Sequence, residues 1–408
     1  MDHTIIIGAG QAGLATSYWL TRHGISHQVL ERARLGNAWR SERWDSFCLV
    51  TPNWSITLPG ASYAGADPGG FMLRDDYVAH LESWARRFGA PIREGIAVNR
   101  LSGRPGAFRV ATADGVHEAA NVVVATSTYQ TPRIPAVSTQ APKHLHQLDA
   151  SAYRNPAALP AGGVLVVGSG QTGCQLAEEL RESGRATYLC VGKAGRLPRR
   201  YRGRDCIEWQ RDMGYLDRTP DMLEDPSHRF RGDPHLSGKN GGHTLSLHAF
   251  HRAGIVLLGG LRGFDGARAI LASDLVANMR YADDFARNLM AAMDRHIAQA
   301  GIVAPPASPD ELAGEPAAEW TVPMIESLDL DQAGITTIIW ATGFRFDFSW
   351  IEFPVLDEAQ YPRTARGVTA VPGLYFMGLN WMHKRKSGII YGVGEDAAWI
   401  ADHIAARR

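Results

Sequence analysis

No apolar run in this chain comes near the roughly 20 residues that a membrane-crossing helix needs, so a spanning segment is not expected. Charge of one sign is also lacking: 42 Lys and Arg stand against 42 Asp and Glu. That balance supplies no global field toward nucleic acid or an anionic membrane. Cysteine is scarce, with Cys48, Cys174, Cys190 and Cys206 only. None forms a Cys-x-x-Cys pair and the spacing matches no zinc site, which removes the thioredoxin-reductase type of dithiol chemistry. Reduced thiols and a cytoplasmic location are expected. The N-terminus begins directly on a strand-like run, so no secretory leader is expected. There is no Gly-x-Ser-x-Gly elbow for triad hydrolysis. His228, His235, His243, His248 and His251 cluster in sequence, but not at metal-ligand spacing, and no metal is expected.

What is present is an ordinary globular composition over 408 residues, 45% hydrophobic and 21% charged, enough for two or three domains. Two glycine turns organise it. Ile5-Ile6-Ile7 runs into Gly8-Ala9-Gly10-Gln11-Ala12-Gly13, and Val164-Leu165-Val166-Val167 runs into Gly168-Ser169-Gly170-Gln171-Thr172-Gly173. In such a turn the first glycine makes the tight bend and the second admits a pyrophosphate. The third lets helix and strand pack closely. The helix that follows offers free N–H groups and the positive end of its dipole to phosphate. Each turn lies between an apolar strand and a helix, which is the context that gives the pattern meaning.

The two units differ at the ribose. After the first turn, Gln28-Val29-Leu30 ends in Glu31, an acceptor for ribose hydroxyls that would repel a 2′-phosphate. That site suits FAD or NAD. After the second, the strand Thr187–Val191 is followed by Lys193, Arg196, Arg199 and Arg200. Cations there favour a 2′-phosphate, so NADPH is expected, with Lys193, Arg199 and Arg200 as candidate ligands.

Periodicity predicts helices over 14–22, 76–88, 275–301 and 394–406, and strands at 335–341 and 374–378. Residues 108–126 read as a hairpin turning at Asp114-Gly115. Residues 305–318 read as a loop. Residues 200–275 are irregular, as a segment covering an active site would be.

The chain resembles the class B flavin-dependent monooxygenases. The resemblance is carried by the two turns, Leu35-Gly36-Asn37-Ala38-Trp39-Arg40, Val124-Ala125-Thr126, Ile339-Trp340-Ala341-Thr342-Gly343-Phe344 and Gly373-Leu374-Tyr375-Phe376-Met377-Gly378. It implies an α/β fold of two Rossmann-like dinucleotide-binding domains, the second inserted into the first. The expected boundaries are 1–133 and 335–408 for FAD, 134–160 for a linker and 161–334 for NAD(P)H. It implies that Gly8, Gly10, Gln11, Ala12, Gly13, Glu31 and Trp39 hold FAD, with Gly378, Gly388 and Ile389 near its ring. Gly168, Gly170, Gln171, Thr172 and Gly173 would then hold NADPH, with Thr342 and Gly343 linking the domains. Asn53, after Pro52, is a candidate donor at the oxygen-reacting edge. The implied activity uses NADPH and O2 to form a flavin hydroperoxide that oxygenates a small organic substrate. Ser127 stands where the first Ala-Thr-Gly copy has glycine, and Asp149 where the family linker has histidine. These departures argue against the Baeyer–Villiger subtype. A flavin reductase that passes electrons elsewhere, and a non-catalytic flavin-binding sensor, are the other classes open.

Overall fold

The computed structural model describes residues 2–312 and 321–407. Strand β1 (Asp2–Ile7) leads through helix α1 (Gln11–Arg22) to β2 (His27–Leu30), which pairs with β1 in parallel. Helix α2 (Arg74–Phe88) follows, with Tyr77, Leu81 and Trp84 buried at helical spacing. Asp75 and Asp76 in its first turn and Arg86 and Arg87 in its last complement the helix dipole, and Gly89 closes it in the left-handed region at φ 66°. Strand β3 (Gly115–Val124) returns to lie on the other side of β1. It also carries the hairpin to Ala107–Thr112, which turns at Ala113-Asp114, one residue before the expected Asp114-Gly115, with Gly115 paired to Thr112. These strands read as continuous apolar runs because both faces of the sheet are covered: Ile5, Ile6, Val122 and Val123 have no exposed surface.

The second unit is a five-stranded all-parallel sheet. Its strands are β4 (His146–Asp149), β5 (Gly163–Val167), β6 (Thr187–Cys190), β7 (Val256–Leu258) and β8 (Ile335–Trp340), with helices α3 (Gln171–Glu182) and α4 (Leu275–Gln299) between them. Their order across the sheet is β4-β8-β5-β6-β7. The chain then returns to the first sheet through β9 (Leu374–Phe376), parallel to β3, and ends in α5 (Ile390–Ala405), which packs on α1. One Rossmann-like unit is thus inserted into another.

Two pairings differ from the sequence reading. The strand at 335–340, expected to open the return to the first unit, pairs with β4 and β5 of the second. Residues 146–149, expected within a linker, form the edge strand of that same sheet. The order of strands in a parallel sheet is a long-range choice that an apolar run does not encode. The expected loop at 305–318 has no regular structure up to 312; the remainder lies outside the described residues.

Candidate active site

Both glycine turns open onto one cavity of about 2290 Å³ between the two units. In the first turn Gly8 holds φ 108°, and a Cβ there would come within 2.5 Å of the Ala125 carbonyl oxygen. A Cβ on Gly13 would lie 1.9 Å from the Gly8 carbonyl oxygen, so helix and strand touch only because this residue is glycine. Gly10 is different: a Cβ there would meet nothing within 4 Å. The protein has no packing reason for that glycine, and the space beside it faces the cavity. Helix α1 starts there without a side-chain cap, leaving the first-turn N–H groups at Gln11 and Ala12 directed at that space. Glu31, only 7% exposed, accepts hydrogen bonds from Ala9 N at 2.8 Å and Ala33 N at 3.1 Å, and its carboxylate lines the same wall.

The second turn repeats this geometry. Gly168 has φ 108° and its Cβ would approach the Ala341 carbonyl oxygen to 2.5 Å; a Cβ on Gly173 would lie 1.8 Å from the Gly168 oxygen; Gly170 again faces open space. Gln171 and Thr172 line the cavity at the uncapped start of α3. The strand registers place Val191 where the first unit has Glu31. With no carboxylate available, the Ser169 hydroxyl bridges to the next strand instead, accepting from Gly192 N at 2.9 Å. The buried His235 imidazole bonds the Ser169 carbonyl from below, and burial pushes its pKa down to about 4.

The basic residues after the second turn separate into two kinds. Lys193 is exposed, lines the cavity and lies 4.9 Å from the Tyr281 ring centre. Arg199 is not a ligand candidate: it is 1% exposed, its Nη2 pairs with Asp205 at 2.5 Å and its Nη1 donates to Val50 O at 2.8 Å. Arg200 is exposed but lies outside the cavity lining, spending its guanidinium on the Gly242 and Gly241 carbonyls at 2.9 and 2.8 Å. Arg196 is likewise buried, on Asp283 at 3.1 Å. Ion pairing with acids nearby in space, invisible in a basic sequence run, draws Arg196 and Arg199 into the fold.

The remaining expected residues mostly converge. Trp39 lines the cavity and donates from Nε1 to Gln11 Oε1 at 3.0 Å, tying the second segment of the first unit to its turn. Thr342, Gly343, Gly378, Gly388 and Ile389 all line the cavity. Ser127 adopts φ 70°, close to the 86° of Gly343 in the equivalent crossover, so the backbone path survives the loss of glycine. Asp149 reaches the cavity wall and is held by Ser151 N at 2.8 Å. Asn53 does not line the cavity: it is 6% exposed, in a short turn, and its Nδ2 donates to Asp67 O at 3.0 Å. The turn that follows Pro52 has claimed it for structure.

Much of the far wall comes from the irregular segment expected to cover a site, although the sequence singles out no residue of it as lining one. Part of the irregular segment, from Ile207 to Leu236, lines the cavity, as a cover would. It is fastened to the end of the first unit: Arg385 pairs with Asp233, and Lys386 with Asp217 at 2.9 Å. Arg229 lies 4.6 Å from the centres of both the Phe230 and Tyr361 rings and pairs with Asp357 at 2.8 Å. Phe285 and Leu289 of α4 line the cavity, while Met279 and Met293 are buried. The histidines of this region are dispersed, with His243 on Glu178 at 2.7 Å and His248 on Asp283 at 2.8 Å.

Residues 5–202 match the pyridine nucleotide-disulphide oxidoreductase family. A CzcO-like oxidoreductase of Geobacillus kaustophilus is 32% identical over 410 residues, covering 99% of both chains. Indole-3-pyruvate monooxygenase YUCCA1 of Oryza sativa is 30% identical over 46% of this chain and 47% of its own. Among solved structures, a flavin monooxygenase from Stenotrophomonas maltophilia superposes with a TM-score of 0.66 at 19% identity, covering 100% of this chain and 99% of that one. Similar along its whole length to the CzcO-like proteins, and folded like a flavin monooxygenase, the chain belongs to the CzcO-like oxidoreductases.

Proposed function

We propose that the first turn holds FAD, the second holds NADPH, and the protein is an NADPH- and O2-dependent monooxygenase of a small organic substrate. The observation that carries this is the convergence of two uncapped glycine turns, one followed by the buried carboxylate of Glu31 and one by Val191, on a single cavity. Gly10 and Gly170 leave room that only a ligand needs, so the residues present fit two dinucleotides. The names of the relatives support the assignment, since both the S. maltophilia and the O. sativa proteins are monooxygenases.

When bound, FAD supplies the redox chemistry, taking a hydride from NADPH and activating O2 for transfer of one oxygen atom. The chain supplies position and environment. The N–H groups at Gln11 and Ala12 hold one pyrophosphate and those at Gln171 and Thr172 the other. Glu31 accepts the hydroxyls of the FAD adenosine ribose. Lys193 would pair with the 2′-phosphate of NADPH. Trp39, Gly378, Gly388 and Ile389 would hold the ring end of FAD, and the segment 207–236 would keep bulk water from the reacting centre. The four buried free thiols support a cytoplasmic location.

A reductase is the second reading, favoured by one observation: Asn53, the expected donor at the oxygen side, is bonded to Asp67 O outside the cavity. Turnover of the FAD-reconstituted protein with NADPH under 18O2 separates them. The monooxygenase reading expects 18O in an organic product. Electrons passed stoichiometrically to an added quinone, without consumption of 18O2, would establish the reductase. Protein that cannot be reconstituted with FAD would sink both.

A further inference from the structure

Gln210 has no assigned role, yet it is the most anomalous polar residue of the cavity wall. It is 6% exposed, lines the cavity, and its Nε2 has no hydrogen-bond partner. A buried amide left unpaired is costly, and native proteins rarely keep one without a reason. Its surroundings are apolar. The helix Cys206–Asp212 and α4 meet here, and their cavity-lining residues are Ile207, Gln210, Phe285, Asn288, Leu289 and Ala292. Among these described residues none is charged. The one cation of the helix Cys206–Asp212 turns away: Arg211 stacks 4.7 Å from the Trp54 ring centre and pairs with Asp212 at 2.8 Å.

This wall lies beside the start of α5. Trp54, under Arg211, meets Tyr391 edge to face with ring centres 5.6 Å apart. The backbone of Arg385 donates to Arg218 O at 2.8 Å. The apolar wall therefore adjoins Ile389 and Ile390, the end of the cavity assigned above to the flavin ring.

We propose that the wall between helix Cys206–Asp212 and α4 seats the body of a neutral, largely apolar substrate, and that the Gln210 amide pairs with its single polar group. This rests on the monooxygenase reading and gives it a substrate class. A carboxylate seated against Ile207, Gln210, Phe285 and Leu289 would find no cation among them, and burying it unpaired is disfavoured. An amide head can turn either its N–H or its oxygen to the ligand, so the partner group can be a carbonyl, an amide or a hydroxyl.

Three probes of nearly one shape test this: benzamide, benzoate and cumene. Binding to the FAD-loaded protein is read without turnover, by calorimetry and by perturbation of flavin absorbance. Benzamide is expected to bind at least tenfold tighter than benzoate. Gln210→Leu should weaken benzamide about tenfold, leave cumene no weaker, and leave the NADPH dissociation constant unchanged. The ligand-free variant should melt about 2 °C higher, because an unpaired amide has been removed. Gln210→Met repeats the readout if the leucine does not fold. Equal effects on benzamide and cumene, tighter binding of benzoate, no binding of benzamide, or a shift confined to NADPH would each overturn the proposal. Because the binding arms need no oxygen transfer, a protein that binds benzamide through Gln210 but oxygenates nothing would refute the monooxygenase reading alone.

Discussion

The two glycine turns have nearly the same backbone and different surroundings. Both first glycines sit at φ 108° with the next crossover carbonyl 2.5 Å from where a Cβ would be. A Cβ on either third glycine would lie under 2 Å from the carbonyl oxygen of its own first glycine, at 1.9 and 1.8 Å. That much is dictated by packing a helix onto a strand end. The difference begins one residue past the second strand, where Glu31 in one unit corresponds to Val191 in the other. In the first unit a carboxylate braces the turn; in the second, Ser169 and His235 brace it and the strand-end position is left apolar. The lesson is that the backbone geometry is common to both turns. In the proposal made above, a single strand-end residue then decides which ribose each site accepts.

The comparison breaks most severely where the backbones agree. Gly13→Ala and Gly173→Ala each push a methyl group into a carbonyl of the same turn, and each should cost about 3 kcal/mol in chemical denaturation. Gly10→Ala and Gly170→Ala, with open space around the new methyl group, should leave stability of the ligand-free protein within about 0.5 kcal/mol.

Acid should distinguish the turns next. His235 under the second turn has its pKa depressed to about 4 by burial, below the ordinary value of 6.5. As pH falls the unfolded chain takes up this proton first. Its contribution is therefore intact above pH 6.5 and is lost as pH falls toward 4. The loss is about 2 kcal/mol at pH 5. His235→Gln should flatten that part of the pH profile of stability, and NADPH affinity should fall with acid in the parent protein more than in the variant.

Glu31→Ala should weaken FAD retention about tenfold to thirtyfold, measured by dialysis of the reconstituted protein, with NADPH affinity unchanged. The smallest effect belongs to the cations. Lys193→Ala should raise the Michaelis constant for NADPH about fivefold and leave that for NADH alone. Arg200→Ala should change neither, because its guanidinium is bonded to Gly241 and Gly242 outside the cavity.

The parts of this site legible in the sequence are those set by local chemistry. Glycines at fixed offsets between an apolar strand and a helix declare a turn, and Glu31 declares its ribose, without any knowledge of the rest of the chain. Helices α2 and α4 were legible from periodicity for the same reason. What was not legible depends on partners distant in sequence. Arg199 looked like a phosphate ligand until Asp205 and the Val50 carbonyl claimed it. Residues 335–340 looked like a return to the first sheet, but β4 and β5 hold them in the second. Gln210 carries no motif at all; its significance is the absence of a partner, which only the folded chain reveals. Asn53 failed in the opposite sense, since its Nδ2 is bonded to the carbonyl of Asp67 in the folded chain.

The central claim is that two turns of one geometry hold two different dinucleotides in one cavity. Filling each open space in turn tests it most directly. Gly10→Val and Gly170→Val are purified in the presence of FAD, and each is assayed for bound flavin absorbance and for its bleaching by NADPH without oxygen. The account predicts that Gly10→Val emerges without flavin, whereas Gly170→Val keeps its flavin but is no longer bleached by NADPH. Loss of flavin from both variants, or NADPH reduction surviving in Gly170→Val, would contradict it.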